Sequence, residues 1–348
     1  NLHHDILKLS HQGLTSLVMD LEDAVGDLEV DMAENNLVTE LLKMYREKCD
    51  GQETTEDYSL LFIRIRSIEQ FKRLKEQLGE ALRLLTGVVL PKFSLESGME
   101  LLSEISQISS NEHPFYAMPI LESGKIIKKE TRMEELLKIK QLLDQYKNNI
   151  LNVRIGATDF SGIYGLRRSM DTTVYDIAVL RDCIGDIINV FLRADHSYVI
   201  SGPVWEYFSS HDRILKPQLR QTPFQKAKGM EGLKWRSELI ERNMDGFIRE
   251  ILLDIANGLT GKTIIHPSHI NAVQALNVVS FEEYMDALNI IDAATGEKGV
   301  IKSLFSNKMN EIKPHYYWAK KMIFKSQLYG VLHEEYTSID LIKKEVYV

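Results

Sequence analysis

Short apolar runs rich in β-branched residues alternate with amphipathic stretches along most of this chain, and that alternation leaves few folds open. Thr15–Leu21, Ser59–Ile65, Gly87–Leu90, Phe115–Leu121, Leu151–Ile155, Tyr198–Ser201 and Thr263–Ile265 read as strands. Between them, Leu37–Tyr45, Ile68–Leu85, Met99–Ile108, Arg132–Tyr146 and Tyr175–Leu192 read as helices. In the last, Ile177, Val179, Leu180, Ile184, Ile187, Ile188 and Phe191 repeat with the helical period. Parallel neighbours need a crossover, usually a helix, so the alternation means an α/β fold with a parallel sheet, open or closed. The stretch Ser209–Gly232 departs from the pattern: it is polar and basic and carries Pro217 and Pro223. It reads as a long excursion between the sixth and seventh strands, and long loops in compact domains often carry function.

The strand ends gather polar residues, as the active site of an α/β barrel requires. Asp20, Glu22 and Asp23 follow the first strand, Arg64 and Arg66 the second, and Lys92 the third. Glu122 closes the fourth, Asp159 follows the fifth, and His266-Pro267 ends the last. Before Asp159 come Gly156 and Ala157, small residues that leave room for a ligand near the backbone. Glu122 and Asp159, at the ends of successive strands, would converge on one hard cation such as Mg²⁺. The alternative is that both are loop acids capping helices.

Composition narrows the setting. A chain of 348 residues can bury a sizeable core in one large domain or two small ones. A net charge of −8 argues against a general nucleic-acid binder. No apolar run approaches a membrane span and no signal peptide is visible. The two cysteines, Cys49 and Cys183, imply neither a disulfide framework nor a metal site, so a reducing cytoplasm is the natural setting.

Six motifs occur in order: Asp20-Leu21-Glu22-Asp23-Ala24-Val25, Ile63-Arg64-Ile65, Val89-Leu90-Pro91-Lys92, Ile120-Leu121-Glu122-Ser123, Gly156-Ala157-Thr158-Asp159 and Gly261-Lys262-Thr263-Ile264-Ile265-His266-Pro267-Ser268. Any one is weak. Together they resemble the citrate lyase β-subunit-like family, within the superfamily of acyl-CoA lyases and 2-oxo-acid aldolases. The resemblance covers roughly Thr15–Ile270 and is strongest to a less characterised branch of C–C bond lyases with a longer C-terminal part. It implies a (β/α)₈ TIM barrel over residues 1–279, including the excursion 209–232, with a mainly helical C-terminal extension over 280–348. Family members begin with a strand before the Asp-Leu-Glu-Asp strand. Asn1–Ser10 reads as helix, so the first barrel strand is expected upstream of Asn1.

The resemblance also implies roles. Glu122 and Asp159 match the family's ligands to a divalent metal, Mg²⁺ or Mn²⁺. Such a cation polarises a substrate carbonyl and stabilises the enolate formed as a neighbouring C–C bond breaks or forms. Arg64 matches the arginine that holds the substrate's oxygens. Glu22 and Asp23 would orient metal-bound water, with a helix cap as the alternative for Asp23. By strand alternation Arg66 would face the same way as Arg64, reading a second anionic group or pairing with an acid. Lys92 either contacts ligand or neutralises the acid cluster. His266-Pro267 lines the site, with no general-base role. His3, His4 and His11 show no partner spacing and read as solvated. Asp340 matches an aspartate that relatives carry across to a neighbouring subunit's barrel mouth, as an acid or base on the enolate carbon. Its alternative is to cap a helix over Leu341–Glu345.

The partner expected is a small carboxylated molecule, with CoA-linked or phosphorylated forms left open, and the assembly a homo-oligomer, trimer or hexamer. Ile200-Ser201-Gly202-Pro203-Val204-Trp205 lacks the acids that citrate lyase-type members carry there, which weakens the case for an acyl-CoA substrate. Three readings therefore stand: a Mg²⁺-dependent C–C lyase or aldolase, a thioesterase or hydrolase on the same scaffold, and a non-catalytic barrel subunit.

Overall fold

The structure, a computed structural model, describes residues 14–50, 59–195, 197–208, 244, 246–296 and 299–343. The expected helix Asn1–Ser10, the histidines at 3, 4 and 11, and the excursion 209–232 lie outside the described residues.

Six strands lie side by side in chain order, every pair parallel: β1 (Ser16–Asp20), β2 (Leu60–Arg64), β3 (Gly87–Leu90), β4 (Tyr116–Leu121), β5 (Val153–Ile155) and β6 (Ile200–Ser201). Side chains alternate across the sheet. Met19, Leu61, Ile63, Val88, Leu90, Ala117, Leu121, Val153 and Ile155 pack on the helices through residues such as Leu41, Phe71, Leu102, Ile139 and Ile184. The other face has a small apolar core of its own, Val18, Phe62, Val89, Met118 and Ile120. Helices over one face and a packed interior on the other are the arrangement of a (β/α) barrel.

Within the described residues the expected strands and helices form, with two physical corrections. The stretch read as one helix from Ile68 to Leu85 breaks at Gly79, whose φ of +50° suits glycine, and continues as a 3₁₀ helix, Gly79–Leu84. The expected seventh strand, Thr263–Ile265, is a single parallel bridge between Gly202 and Lys262. The ladder stops because β6 is short. Gly202, the next residue in register with β5, makes the bridge, and Pro203 after it has no N–H to donate.

Charge takes over where the ladder stops. Lys262 pairs with Glu250 at 2.8 Å and Asp254 at 2.7 Å, all three side chains buried. Arg168 pairs with Glu250 at 2.7 Å and also donates to the carbonyl of Val204. The Tyr175 hydroxyl donates to Asp254 at 2.7 Å. Gly202 makes room for this network: a Cβ there would lie 2.3 Å from an Asp254 oxygen. The helix over 246–256, the bridge at Lys262 and the loop before Ala178–Phe191 are thereby tied together.

Beyond it, Phe281–Asp292 and Ile312–Tyr329 pack together around Ala287, Ile290 and Ala319, beside an antiparallel hairpin of Val300–Lys302 and Met309–Glu311. In Ile312–Tyr329, Pro314 falls in the first turn, where its missing N–H has no partner to lose. Trp318, Met322 and Ile323 face the pairing, while Tyr317 and Phe324 are exposed. No helix among the described residues is long and apolar enough to cross a membrane.

Lys262→Met should cost about 3–5 kcal/mol, because Glu250 would keep only Arg168 and Asp254 only the Tyr175 hydroxyl. Urea unfolding measures it, and a loss under about 1 kcal/mol, the scale of an exposed pair, would mean that water reaches the network.

Candidate active site

The parallel register sets Asp20 beside Arg64 at the C-terminal ends of β1 and β2. The pair is bidentate: Arg64 Nε donates to Asp20 Oδ1 at 2.7 Å and Nη2 to Oδ2 at 2.6 Å. Asp20 also accepts the backbone N–H groups of Glu22 and Ala24, which folds the following loop back onto the strand. Burial works to raise the Asp20 carboxyl, but Arg64 and these N–H groups outweigh it and hold it below the ordinary carboxylate range. The remaining nitrogen of Arg64, Nη1, reaches Glu22 at 3.2 Å and Asp23 at 3.3 Å. Lys92 joins from the third strand end, with Nζ 2.5 Å from Glu22 Oε1 and 3.8 Å from Asp23.

Glu122, one residue past β4, is buried. Its Oε1 accepts the backbone N–H of Lys92 at 2.5 Å, from a Lys92 held at φ +47°, an uncommon conformation for a side chain of that size. Gly156 packs against the other oxygen, where a Cβ would lie 2.2 Å from Oε2. Burial pushes the Glu122 carboxyl up to about 7, and the charges of Asp159 and Glu22 push the same way against the Lys92 contact. Burial also raises Glu22, which Lys92 opposes. Asp159 stands in the first turn of Ala157–Ile163, directly after β5. Its neighbour Thr158 donates to Glu206 at 2.9 Å.

The structure thus gathers Glu22, Asp23, Arg64, Lys92, Glu122 and Asp159 at one end of the sheet. Other expected site residues stand elsewhere. β2 ends at Arg64, so alternation does not carry to Arg66. That guanidinium turns to the loop, donating to the carbonyls of Leu21, Glu22 and Val25 and pairing with Asp27 at 2.7 Å. The space at Gly156 is taken by Glu122, and Ala157 is buried in the core. His266 uses Nδ1 on the Ser268 hydroxyl at 2.8 Å and stacks on Phe208, with ring centroids 4.3 Å apart. Pro267 opens the 3₁₀ turn Pro267–His269. Asp340 accepts the backbone N–H of Thr337 at 2.8 Å and its hydroxyl at 2.7 Å, at the start of Ser338–Lys343. Within its own chain it therefore caps that helix.

Two residues of this region went unnoticed in the sequence. Glu206 directly follows the stretch Ile200–Trp205 that lacks acids. Arg154 interrupts an otherwise apolar strand, and the period-two pattern of Val153-Arg154-Ile155 could have flagged it as inward-facing.

A divalent cation is the group this family type implies, and the donor set fits it. Among the described residues no three His, Cys, Asp or Glu side chains converge as a metal site. Glu122 and Asp159 offer oxygen only, which suits Mg²⁺ or Mn²⁺ with water and substrate completing the shell. The unbalanced negative charge that raises Glu122 is what a cation would relieve.

A parallel-stranded barrel with acids and an arginine at the C-terminal strand ends is the class this geometry defines. The chain matches the C–C bond lyase family of the TIM-barrel fold over residues 1–331 and belongs to it. No curated protein matches the sequence. Among solved structures, RipC from Yersinia pestis is similar at 15% identity and TM-score 0.47, over 76% of this chain and 89% of that one. The magnesium/glyoxylate complex of Haloferax volcanii malate synthase aligns at 10% identity and TM-score 0.47, over 96% of this chain and 88% of that one. In the lead(II) complex of the same synthase the alignment has 10% identity and TM-score 0.47, and spans 74% of this chain but 63% of that one. The family assignment rests on the sequence match alone.

Metal-free stability should report the raised Glu122 carboxyl. Its folded value lies above the ordinary 4.5, so its contribution is full below that pH and is lost as pH rises toward about 7. Wild type should therefore fall relative to Glu122→Gln by up to about 3 kcal/mol between pH 5 and pH 8 in urea melts with EDTA. A difference that stays flat with pH would show an ordinary, solvated carboxyl.

Proposed function

We propose that this chain is a divalent-metal-dependent C–C lyase or aldolase, which breaks or forms a bond next to a carbonyl in a small carboxylated molecule. The observation that carries the reading is the buried Glu122 carboxylate, crowded by the charges of Asp159 and Glu22, at the same end of the sheet as an arginine already fixed by Asp20. Glu122 and Asp159 would hold Mg²⁺ or Mn²⁺, which when bound supplies Lewis acidity to the carbonyl. The Arg64 plane needs no reorientation to meet developing negative charge, because Asp20 holds it in two-point contact. Its Nη1 is the edge available to substrate, on exchange with Glu22 or Asp23. Those two acids and Lys92 keep the mouth charged and ordered. The barrel, residues 1–279, carries the chemistry, and residues 280–348 are its extension. With Cys183 buried and no disulfide among the described residues, a reducing cytoplasm suits the chain.

The metal site is tested by calorimetry with Mg²⁺ and Mn²⁺. Glu122→Gln combined with Asp159→Asn should abolish binding, and unchanged affinity in that variant would sink the assignment.

Arg64→Lys should lower kcat/KM sharply, since a point charge replaces a planar fork. Loss of one such contact is worth about 2–4 kcal/mol in the transition state. A variant within about threefold of wild type, under a kcal/mol, would make Arg64 a bystander.

The proton at the carbon end of the reacting bond needs a donor or acceptor that the acid pair and Arg64 do not supply. Asp340 of a neighbouring subunit would fill that role in a trimer or hexamer, on release from Thr337. Asp340→Asn should then keep assembly and metal affinity but lose turnover. Mixing it with Glu122→Gln subunits should restore some activity through hybrid sites if subunits exchange. A monomer by light scattering would rule this out.

A further inference from the structure

Three cations near the barrel mouth already have partners. Arg64 gives one edge to Asp20 and Nη1 to Glu22 and Asp23. Arg66 gives its donors to loop carbonyls and Asp27. Lys92 gives Nζ to Glu22. Arg154 differs: among the described residues its guanidinium makes no hydrogen bond and no ion pair.

Its placement in the sheet is specific. Arg154 stands in β5 in register with Ile120 on one side and Ser201 on the other. Alternation sends Val153 and Ile155 to the helices, so Arg154 shares the interior face with Ile120 and Ser201. The Ser201 hydroxyl is buried and, among the described residues, also lacks a partner. The charges that act on Arg154 are those of Arg64, Glu122 and Asp20, which puts its head group beside the candidate site.

Simple charge balance does not account for it. Asp20 is saturated by Arg64 and two backbone N–H groups, and Glu122 has turned one oxygen to Lys92. Arg64 itself repels Arg154, and burial with that repulsion lowers the Arg154 guanidinium to about 10, still charged at neutral pH. A guanidinium has five N–H donors and no acceptor, and leaving it unpaired in a partly desolvated place is costly. Two coplanar oxygens of one anion would satisfy it.

We infer that Arg154, with the hydroxyl of its register neighbour Ser201, binds an oxyanion of the substrate, a carboxylate or a phosphate group remote from the reacting bond. This rests on the proposed function and deepens it. The substrate carries two separate polar ends, one at Glu122–Asp159 and Arg64 and one at Arg154. Short dicarboxylates and phosphorylated carboxylates have that form. Neutral or monoanionic compounds leave Arg154 unpaired and are disfavoured.

The test uses the full chain without metal, with malonate and inorganic phosphate as probes and calorimetry as readout. At least one probe should bind wild type, and Arg154→Gln should weaken it by about tenfold or more, the weight of one charge-assisted contact. Malonate binding tighter than phosphate identifies a carboxylate as the anion; the reverse order identifies a phosphate. Ser201→Ala should weaken the same probe by a few fold. Arg154→Lys keeps the charge but loses the fork, should fall between wild type and Arg154→Gln, and carries the comparison if Arg154→Gln does not fold. Arg154→Gln should also keep the Mg²⁺ affinity of wild type. The double variant Glu122→Gln, Asp159→Asn should keep or tighten anion binding, so a failure of the metal reading is separable from a failure here. Absence of binding by both probes, or equal binding by wild type and the Arg154 variants, overturns the inference.

Discussion

The two-point pairing of Asp20 with Arg64 is the contact on which the rest of the mouth depends. It spans the first two strands at their C-terminal ends, so it fixes where the sheet stops and where the charged region begins. Asp20 then takes two backbone N–H groups from its own loop, which brings Glu22 and Asp23 round to the far side of Arg64. Arg66 holds the other side of that loop through three carbonyls. A loop of seven residues, Leu21–Asp27, is thus clamped by Arg64 at the end of β2 and Arg66 just past it. Such a clamp does for Arg64 what preorganisation requires: the guanidinium plane is set before anything binds.

Glu122 shows the complementary device. It is brought in by an apolar strand and admitted by the absence of a side chain at Gly156. A Lys92 backbone in an unusual conformation holds one of its oxygens. A residue of that size held in the left-handed region costs of order 1–3 kcal/mol and persists only when its surroundings over-determine it. What it secures here is a backbone donor on a carboxylate that the neighbouring acids would otherwise repel. The result is a group that is ordered and electrostatically unsatisfied at once, a fit condition for taking up a cation.

Much of the fold was legible because its signals are local. Runs such as Leu61-Phe62-Ile63 and Val88-Val89-Leu90 are apolar, short and flanked by helical periods, and they became strands within a residue or two of the reading. The acids and Arg64 were legible because strand ends are where a barrel places its site. The rest was not local. Thr263–Ile265 has the composition of a strand, but its pairing depended on β6, which is two residues long and extends only by the Gly202 bridge before Pro203. Gly156 read as space for a ligand and is space for Glu122, a contact between separate strand ends that spacing does not reveal. Arg66 lies two residues after Arg64 and would share its face in a strand, yet the strand had already ended.

The molecule treats its buried charges in two opposite ways, and the contrast gives the mouth its meaning. At Lys262, where β6 no longer supports a seventh strand, Lys262, Glu250, Asp254, Arg168 and Tyr175 close on one another, so that each charge has a partner of opposite sign or a hydroxyl. This arrangement stabilises only if it is complete, and there it is complete among the described residues. At the front, the same chain pairs Arg64 thoroughly but leaves Glu122 crowded by like charge and, among the described residues, Arg154 without a hydrogen bond. A fold that can satisfy a five-membered ionic network in its far wall is not short of means to satisfy two more charges. The open valences lie on the interior face and at the strand ends, where a small molecule with oxygens at both ends can reach them. At the mouth the imbalance lies where a ligand would correct it, which is what a binding site requires of the groups it leaves open.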